Sequence, residues 1–166
     1  SYEKILNCKI FKNLTIGIDT KLFTSQQIDK FFSKHNRVKE LKFNLIDFIC
    51  YKQKINHKPF FSLDKSVVGE SHLSKIKKVA NILKEKKSNY LFISAPENVA
   101  WLLNIRGYDN PNSPIPNCHL LIDKKNNPYL ICEKKKAKKI ILEKKIRKKQ
   151  VIEFKNFEKL IEDLKG

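Results

Sequence analysis

Two kinds of hydrophobic pattern alternate along the chain, and this alternation constrains its fold more than any other feature. Short stretches rich in β-branched residues, such as Leu-Thr-Ile-Gly-Ile at 14–18, are typical of strands. Stretches with apolar residues three and four positions apart, such as 70–87, are typical of amphipathic helices. The alternation therefore predicts an α/β protein, in which helices cover the sheets. The predicted strands are 14–18, 38–43, 90–94, 120–123, 129–132 and 151–154, and the predicted helices are 25–35, 45–49, 70–87, 96–103, 134–147 and 157–164.

The pattern is interrupted over residues 52–66. This stretch contains a proline and many polar residues around three apolar side chains, Phe60, Phe61 and Leu63. We interpret it as a connector that its aromatic residues anchor, and we place a domain boundary near residue 67. The predicted domains are 1–66 and 67–166.

The chain carries 35 Lys and Arg residues against 17 Asp and Glu, which gives a net charge of +18. Such a balance is common among nucleic-acid-binding proteins. Only three of the basic residues are arginine, however, and the planar fork of arginine suits phosphate and guanine better than lysine does. Lys, Asn and Ile are all abundant and share A/T-rich codons, so compositional drift accounts for the excess. We therefore predict an incidental basic surface, with lysines on several faces, and no specific nucleic-acid partner.

The most basic stretch, residues 134–149, holds ten Lys and Arg residues and a single acid. No aromatic residue stands among its lysines to stack on bases, and its apolar residues have helical spacing. The stretch is therefore interpreted as a solvated amphipathic helix. Its predicted apolar face consists of Ala137, Ile140, Ile141 and Leu142.

No pattern of catalytic or metal-binding residues is present in the sequence. The four cysteines stand singly, which favours reduced thiols in a cytoplasmic protein over a zinc site or a disulfide framework. The histidines are not spaced as metal ligands, and nucleophile and phosphate-loop motifs are absent. No apolar run is long enough for a membrane span. We therefore predict no catalytic residue, no metal ligand and no membrane partner. The cysteines are Cys8, Cys50, Cys118 and Cys132.

One segment stands out because it combines the only tryptophan, one of three arginines and a proline-rich loop. Trp101 lies between apolar residues of a predicted helix, so we expect it to be buried. Gly107 suits the position just after a helix end. Arginine is rare in this chain, so Arg106 indicates a position that requires the planar set of donors of a guanidinium. We expect Arg106 to pair with Asp109 and so to connect the two ends of the loop. The candidate site residues are Trp101, Arg106, Gly107, Asp109 and Pro114.

The same segment resembles the second domain of the three-domain Xaa-Pro aminopeptidases, the aminopeptidase P family. That domain carries a similar Ala-Trp-Leu-x-Asn-x-Arg-Gly-x-Asp run followed by a proline. Upstream, Gly69, Ser71 and the pair at 75–76 match the start of that domain, and residues 16–19 and 44–47 resemble passages late in the family's first domain. The matching residues of the main run are Ala100, Trp101, Leu102, Asn104, Arg106, Gly107, Asp109 and Pro114.

The resemblance implies a fold and a function. The first two domains of the family share a creatinase N-terminal, ribonuclease-H-like fold, a mixed sheet with helices on both faces. The chain is therefore expected to contain the end of a first such domain, a partial copy, and most of a second one, truncated at its C-terminal end. It contains no methionine and begins at a serine, which predicts an excerpt of a longer protein.

In this family a third domain carries the activity. It holds two divalent metal ions, usually manganese, on two Asp, one His and two Glu residues, and the enzyme removes the N-terminal residue from peptides with Pro second. The resemblance implies that this chain is a non-catalytic region flanking that site. Its implied partners are the missing catalytic domain, such peptides and a second copy in a homodimer. Two alternatives stay open: a basic nucleic-acid-binding module and a catalytically inactive regulatory homologue.

Overall fold

The computed structural model describes residues 12–50 and 57–164, and the chain divides into two compact units, Ser1–Lys54 and Ile55–Gly166. Residues 57–66 therefore belong to the second unit, and this division replaces the predicted boundary near residue 67. The reason is that the Phe60 side chain is fully buried and its N–H donates to the Lys136 carbonyl at 2.8 Å. The predictions for Cys8 and for connector residues 52–56 lie outside the described residues.

The first unit contains a short parallel sheet and the helices that follow its strands. Strand β1 (Thr15–Ile18) pairs in parallel with β2 (Arg37–Glu40). Helix α1 (Ser25–Ile28) lies between them in the chain, and it begins with a capping box of Thr24 and Gln27. Helix α2 (Leu45–Ile49) follows β2 and begins at Asn44, whose side chain accepts from the Ile46 N–H. The predicted order of strand and helix is therefore observed in this unit.

The second unit is built on a four-stranded sheet. Strands β3 (Phe61–Ser62) and β5 (Ile105–Arg106) form a separate antiparallel pair. The main sheet has the order β4-β6-β7-β8, with two antiparallel pairings followed by a parallel one. Its strands are β4 (Tyr90–Ile93), β6 (His119–Asp123), β7 (Pro128–Ile131) and β8 (Val151–Ile152).

Helices cover both faces of this sheet. Ile76 and Leu103, from the two longest helices, share one buried cluster with Leu120 of β6. On the other face Phe157 stacks on Phe92 of β4, with ring centroids 5.1 Å apart. This arrangement confirms the predicted mixed α/β fold. The helices of the second unit are α3 (Lys65–Val68), α4 (His72–Glu85), α5 (Pro96–Leu103), α6 (Lys138–Leu142) and α7 (Phe157–Asp163).

Two details of the second unit differ from the sequence predictions. Strand β4 has the composition of a buried strand, yet Leu91 is 38% exposed and Phe92 is 43% exposed. The reason is that, in the part of the chain that the structure describes, β4 is the edge strand of this sheet and pairs only with β6. The predicted helix over 134–147 is helical only in α6, because the chain turns at Lys144, whose φ is 56°. Leu142 is consequently 82% exposed, and Ile146 takes its place in the core.

Candidate functional site around Trp101 and the following loop

The end of helix α5 positions the first part of the candidate site. Asn104 ends the helix with a left-handed φ of 54°, a conformation that asparagine adopts more readily than most residues. Its side-chain Nδ2 donates to the Glu70 carbonyl at 2.8 Å, which joins this helix end to the start of α4. Asn104 thus holds the position after the helix that the sequence analysis assigned to Gly107.

A buried lysine lies beneath Trp101. Lys75 is 4% exposed, and its Nζ donates to the Trp101 carbonyl and to Asn104 Oδ1, both at 2.8 Å. The same Nζ lies 3.9 Å from the centroid of the indole ring, within the range of a cation–π contact. Burial lowers the pKa of Lys75, Glu70 opposes this change, and the neighbouring charge of Arg106 adds to it.

Trp101 itself is 59% exposed, so the prediction that it is buried is wrong. The buried face of α5 is formed by its neighbours Val99, Ala100, Leu102 and Leu103, and Trp101 lies on the opposite side of the helix. The indole instead covers the Lys75 ammonium. A large aromatic ring held in place at the surface is a common feature of recognition sites.

Arg106 does not pair with Asp109, which corrects the second prediction for this segment. Its Nη1 donates to two backbone carbonyls, that of Ile105 at 2.8 Å and that of Ala100 at 3.3 Å. Its backbone lies opposite Phe61 in the β3–β5 pair. The side chain is therefore directed back along α5, toward Trp101, and away from the loop.

The acid of the loop is bound by a lysine that the sequence analysis did not single out. Asp109 Oδ1 forms an ion pair with the Nζ of Lys136, and Oδ2 accepts from the Asn117 N–H at 2.8 Å. The side chains of Lys136 and Asp109 are 5% and 14% exposed. Asp109 thus ties the start of the loop to its end through Asn117, and its cation is Lys136 instead of the predicted Arg106.

Gly107 is required by a close approach of two backbone segments. A Cβ at this position would lie 2.7 Å from Pro116 Cα and 3.0 Å from Asp109 Oδ2, and no side chain fits there. Its N–H donates to the Pro114 carbonyl at 3.0 Å, which closes the base of the loop. Residues 110–112 form the exposed tip of the loop.

Three residues that carry the buried polar contacts of this site were given no role in the sequence analysis: Lys75 and Asn104, noted only as family matches, and Lys136. The position of Lys75 was a usable signal, since it stands four residues before Val79 on the apolar stripe of α4. Lys136 gave no signal, because it stands within a run of lysines.

Neither a grouped set of metal ligands nor a helix that could cross a membrane is found among the residues that the structure describes. Within residues 12–50 and 57–164, no three His, Cys, Asp or Glu side chains are grouped to hold a metal ion. Across the same ranges, no helix combines the length and the apolar character needed to cross a membrane. What the site offers is an exposed indole, a guanidinium and a closed loop.

Comparison with known proteins places the chain in a family. Residues 52–166 match the family model described as the creatinase/prolidase N-terminal domain. The chain belongs to the creatinase/prolidase N-terminal domain family. This match contains the whole candidate site, including Trp101 and the loop, and it confirms the resemblance found in the sequence.

Similar proteins are Xaa-Pro aminopeptidases. A "Probable Xaa-Pro aminopeptidase P" from Laccaria bicolor is 31% identical over 116 residues, covering 64% of this chain and 18% of that protein. "Xaa-Pro aminopeptidase 1" from Dictyostelium discoideum is 29% identical over 118 residues, covering 63% of this chain and 19% of that protein. This creatinase/prolidase N-terminal chain therefore spans about a fifth of the length of these relatives.

A solved structure has the same fold. The X-prolyl aminopeptidase of Caenorhabditis elegans, described as a cytosolic enzyme with a di-nuclear active site, matches with a TM-score of 0.74 at 22% identity. The match covers 92% of this chain and 26% of that one. Together with the family match, it confirms the creatinase N-terminal-like fold.

Proposed function

We propose that this chain is the non-catalytic N-terminal region of a cytoplasmic Xaa-Pro aminopeptidase, a metallopeptidase that removes the residue preceding proline at a peptide's N-terminus. The observation that carries the proposal is the run from Trp101 to Asp109, which matches the family in sequence and is built by buried polar contacts. In this reading the second unit is the second creatinase N-terminal domain, and the first unit is the end of the first one.

The metal ions of such an enzyme would lie outside this chain. The C. elegans enzyme has a di-nuclear active site, whereas the described residues of this chain group no ligand set for a metal. The residues present do not fit a two-metal centre, so no catalytic step is assigned to them. We expect the metal ions, manganese in this proposal, to be held by a downstream catalytic domain.

The role of the candidate site is to flank the substrate entrance of that domain. Trp101 and Arg106 form a rigid surface at the end of α5, and Gly107, Asp109 and Pro114 hold the loop in one shape. A rigid surface of this kind restricts which peptides reach an active site without taking part in the chemistry.

The downstream coding sequence tests the proposal directly. A creatinase-type catalytic domain that carries two Asp, one His and two Glu ligands would support it. A downstream domain that has lost those ligands would indicate the inactive regulatory homologue instead, and the absence of such a domain would contradict the proposal.

The role of the site is tested in the full-length protein with the variant Arg106→Lys, which keeps the charge and loses the planar fork. We expect kcat/KM for an Xaa-Pro peptide to fall while the melting temperature changes little. Arg37→Lys, at an exposed position of the first unit, is the matched control. Unchanged kcat/KM in Arg106→Lys would remove the site from the function.

A further inference from the structure

The guanidinium of Arg106 is fixed in place but only partly used. Its Nη1 donates to the carbonyls of Ile105 and Ala100. Among residues 12–50 and 57–164, neither Nε nor Nη2 has a hydrogen-bond acceptor, and no carboxylate lies within ion-pair distance. The side chain is half-buried, so its conformation is set before any ligand arrives. An immobilised guanidinium with a free edge presents two parallel donors, which match the two oxygens of a carboxylate.

The charges around Arg106 favour an anion. Lys75 and Lys145 are two cations in this region. Burial lowers the pKa of Lys75, Glu70 raises it, and the charges of Arg106 and Lys145 lower it further. Glu70, the acid that raises the pKa of Lys75, is already bound by Lys78 at 2.8 Å and by the Ser74 hydroxyl at 2.6 Å. An added carboxylate would therefore meet a local excess of positive charge without displacing an existing ion pair.

Aromatic residues lie on the two elements that hold Arg106: Trp101 on α5 and Phe61 on β3. Trp101 is 59% exposed, and its carbonyl directly follows that of Ala100, to which Arg106 is bonded. Opposite Arg106 in the β3–β5 pair is Phe61, whose ring contacts that of Tyr108 with centroids 5.0 Å apart and planes tilted by 35°. Trp, Tyr and Arg are the residues most often found at the centres of protein interfaces. The region therefore combines the Arg106 guanidinium with two exposed aromatic side chains, those of Trp101 and Tyr108.

We propose that Arg106 and Trp101 form a recognition site for an acidic side chain, an Asp or Glu of a partner polypeptide segment whose neighbouring apolar residue covers the indole. The inference rests on the proposed function for the source of that segment, which is the downstream catalytic domain. The carboxylate would accept hydrogen bonds from the free edge of the guanidinium, and the apolar neighbour would pack on the exposed indole of Trp101. The bidentate fork of Arg106 distinguishes the acid from its amide, because the amide cannot accept two charged hydrogen bonds.

The chain offers its own reporter for a test of this site. Trp101 is its only tryptophan, so the intrinsic tryptophan fluorescence of the 166-residue chain arises at the proposed site. The probes are two blocked dipeptides, acetyl-Pro-Glu-amide and acetyl-Pro-Gln-amide, titrated to tens of millimolar at constant ionic strength. We expect the Glu peptide to give a saturable blue shift of the emission and the Gln peptide to bind at least about tenfold more weakly.

Two variants connect the signal to Arg106. Arg106→Lys should weaken the Glu peptide about tenfold and leave the Gln peptide unchanged, since lysine cannot reproduce the fork. Arg37→Lys should leave both titrations unchanged, and the circular dichroism of each variant verifies the fold. Equal binding of the two peptides, no saturable shift, or an unaffected Arg106→Lys variant would overturn the inference. Because no catalysis is measured, such a failure is distinct from a failure of the proposed function.

Discussion

The ion pair between Asp109 and Lys136 makes a quantitative prediction about the loop. Asp109→Asn keeps an acceptor for the Asn117 N–H but leaves the Lys136 ammonium, 5% exposed, without its counter-ion. Removing one partner of a buried ion pair costs about 3–5 kcal/mol. Because the Asp109 side chain is 14% exposed and water has some access, we expect a loss in the lower part of that range, about 3 kcal/mol.

Urea unfolding monitored by tryptophan fluorescence measures this loss. Trp101 lies in the second unit, so its emission reports the unit that contains the ion pair. With an m-value near 1.5 kcal/mol/M, a loss of about 3 kcal/mol lowers the midpoint by about 2 M. Asp163→Asn makes the same chemical change at an exposed position of the same unit, and it should alter stability by no more than about 0.5 kcal/mol.

A second substitution distinguishes two causes of the lost stability: the unpaired ammonium of Lys136 and a general loss of packing around Asp109. Lys136→Met in the Asp109→Asn background removes the uncompensated ammonium and should recover part of the lost stability, which gives a favourable coupling energy in a double-mutant cycle. A loss below about 1 kcal/mol for Asp109→Asn, or additive effects of the two substitutions, would contradict a buried Asp109–Lys136 ion pair of this strength.

Three further predictions concern other parts of the chain. Gly107→Ala should lower the free energy of unfolding, measured in urea, more than Gly69→Ala does. A Cβ at Gly107 would lie 2.7 Å from Pro116 Cα, whereas at Gly69, whose φ is +63°, no atom lies within 4 Å of a Cβ. The reverse order of the two losses would contradict this prediction. Burial lowers the pKa of His72, so as the pH falls the unfolded chain binds a proton before the folded chain does. The free energy of unfolding should therefore decrease as the pH drops below about 6.5. His72→Gln should reduce this decrease, and identical pH dependence in the variant and the unchanged chain would contradict the prediction. If the basic surface is incidental, binding to duplex DNA should be weak and vanish by about 0.2 M salt, and a sequence-selective complex at that salt would favour the nucleic-acid alternative.

Hydrophobic periodicity was sufficient to predict most of the fold. The stripe from Ile76 to Leu83 placed α4 correctly, and the turn residues after Asp123 placed the β6–β7 hairpin. Helix α4 buries one face, which is the property that helical periodicity records, and β6 is a short apolar run that is buried on both faces. The sheet edge was not predictable in this way, because Leu91 has the composition of a core residue and its exposure depends on strand order.

The candidate site was predicted by its residue types and not by its contacts. Arg106 and Asp109 were singled out as a pair, but the cation that binds Asp109 is Lys136, one lysine among 32 in the chain. Composition cannot distinguish a buried lysine from a solvated one. Trp101 was misplaced for a related reason: both its sequence neighbours are buried, and only the orientation of α5 puts its side chain outside. Tertiary contacts decided both cases.

The central claim is that this chain is the non-catalytic N-terminal region of an Xaa-Pro aminopeptidase. The most direct measurement is an assay of manganese-dependent release of the first residue from a peptide that has Pro in second position. The assay compares the full-length protein with the 166-residue chain, and a peptide with Ala in second position is the control. The account predicts release by the full-length protein from the Pro peptide, with no release and no manganese retained after desalting for the chain alone. Release by the chain alone, or a metal-loaded full-length protein that leaves the Pro peptide intact, would contradict it.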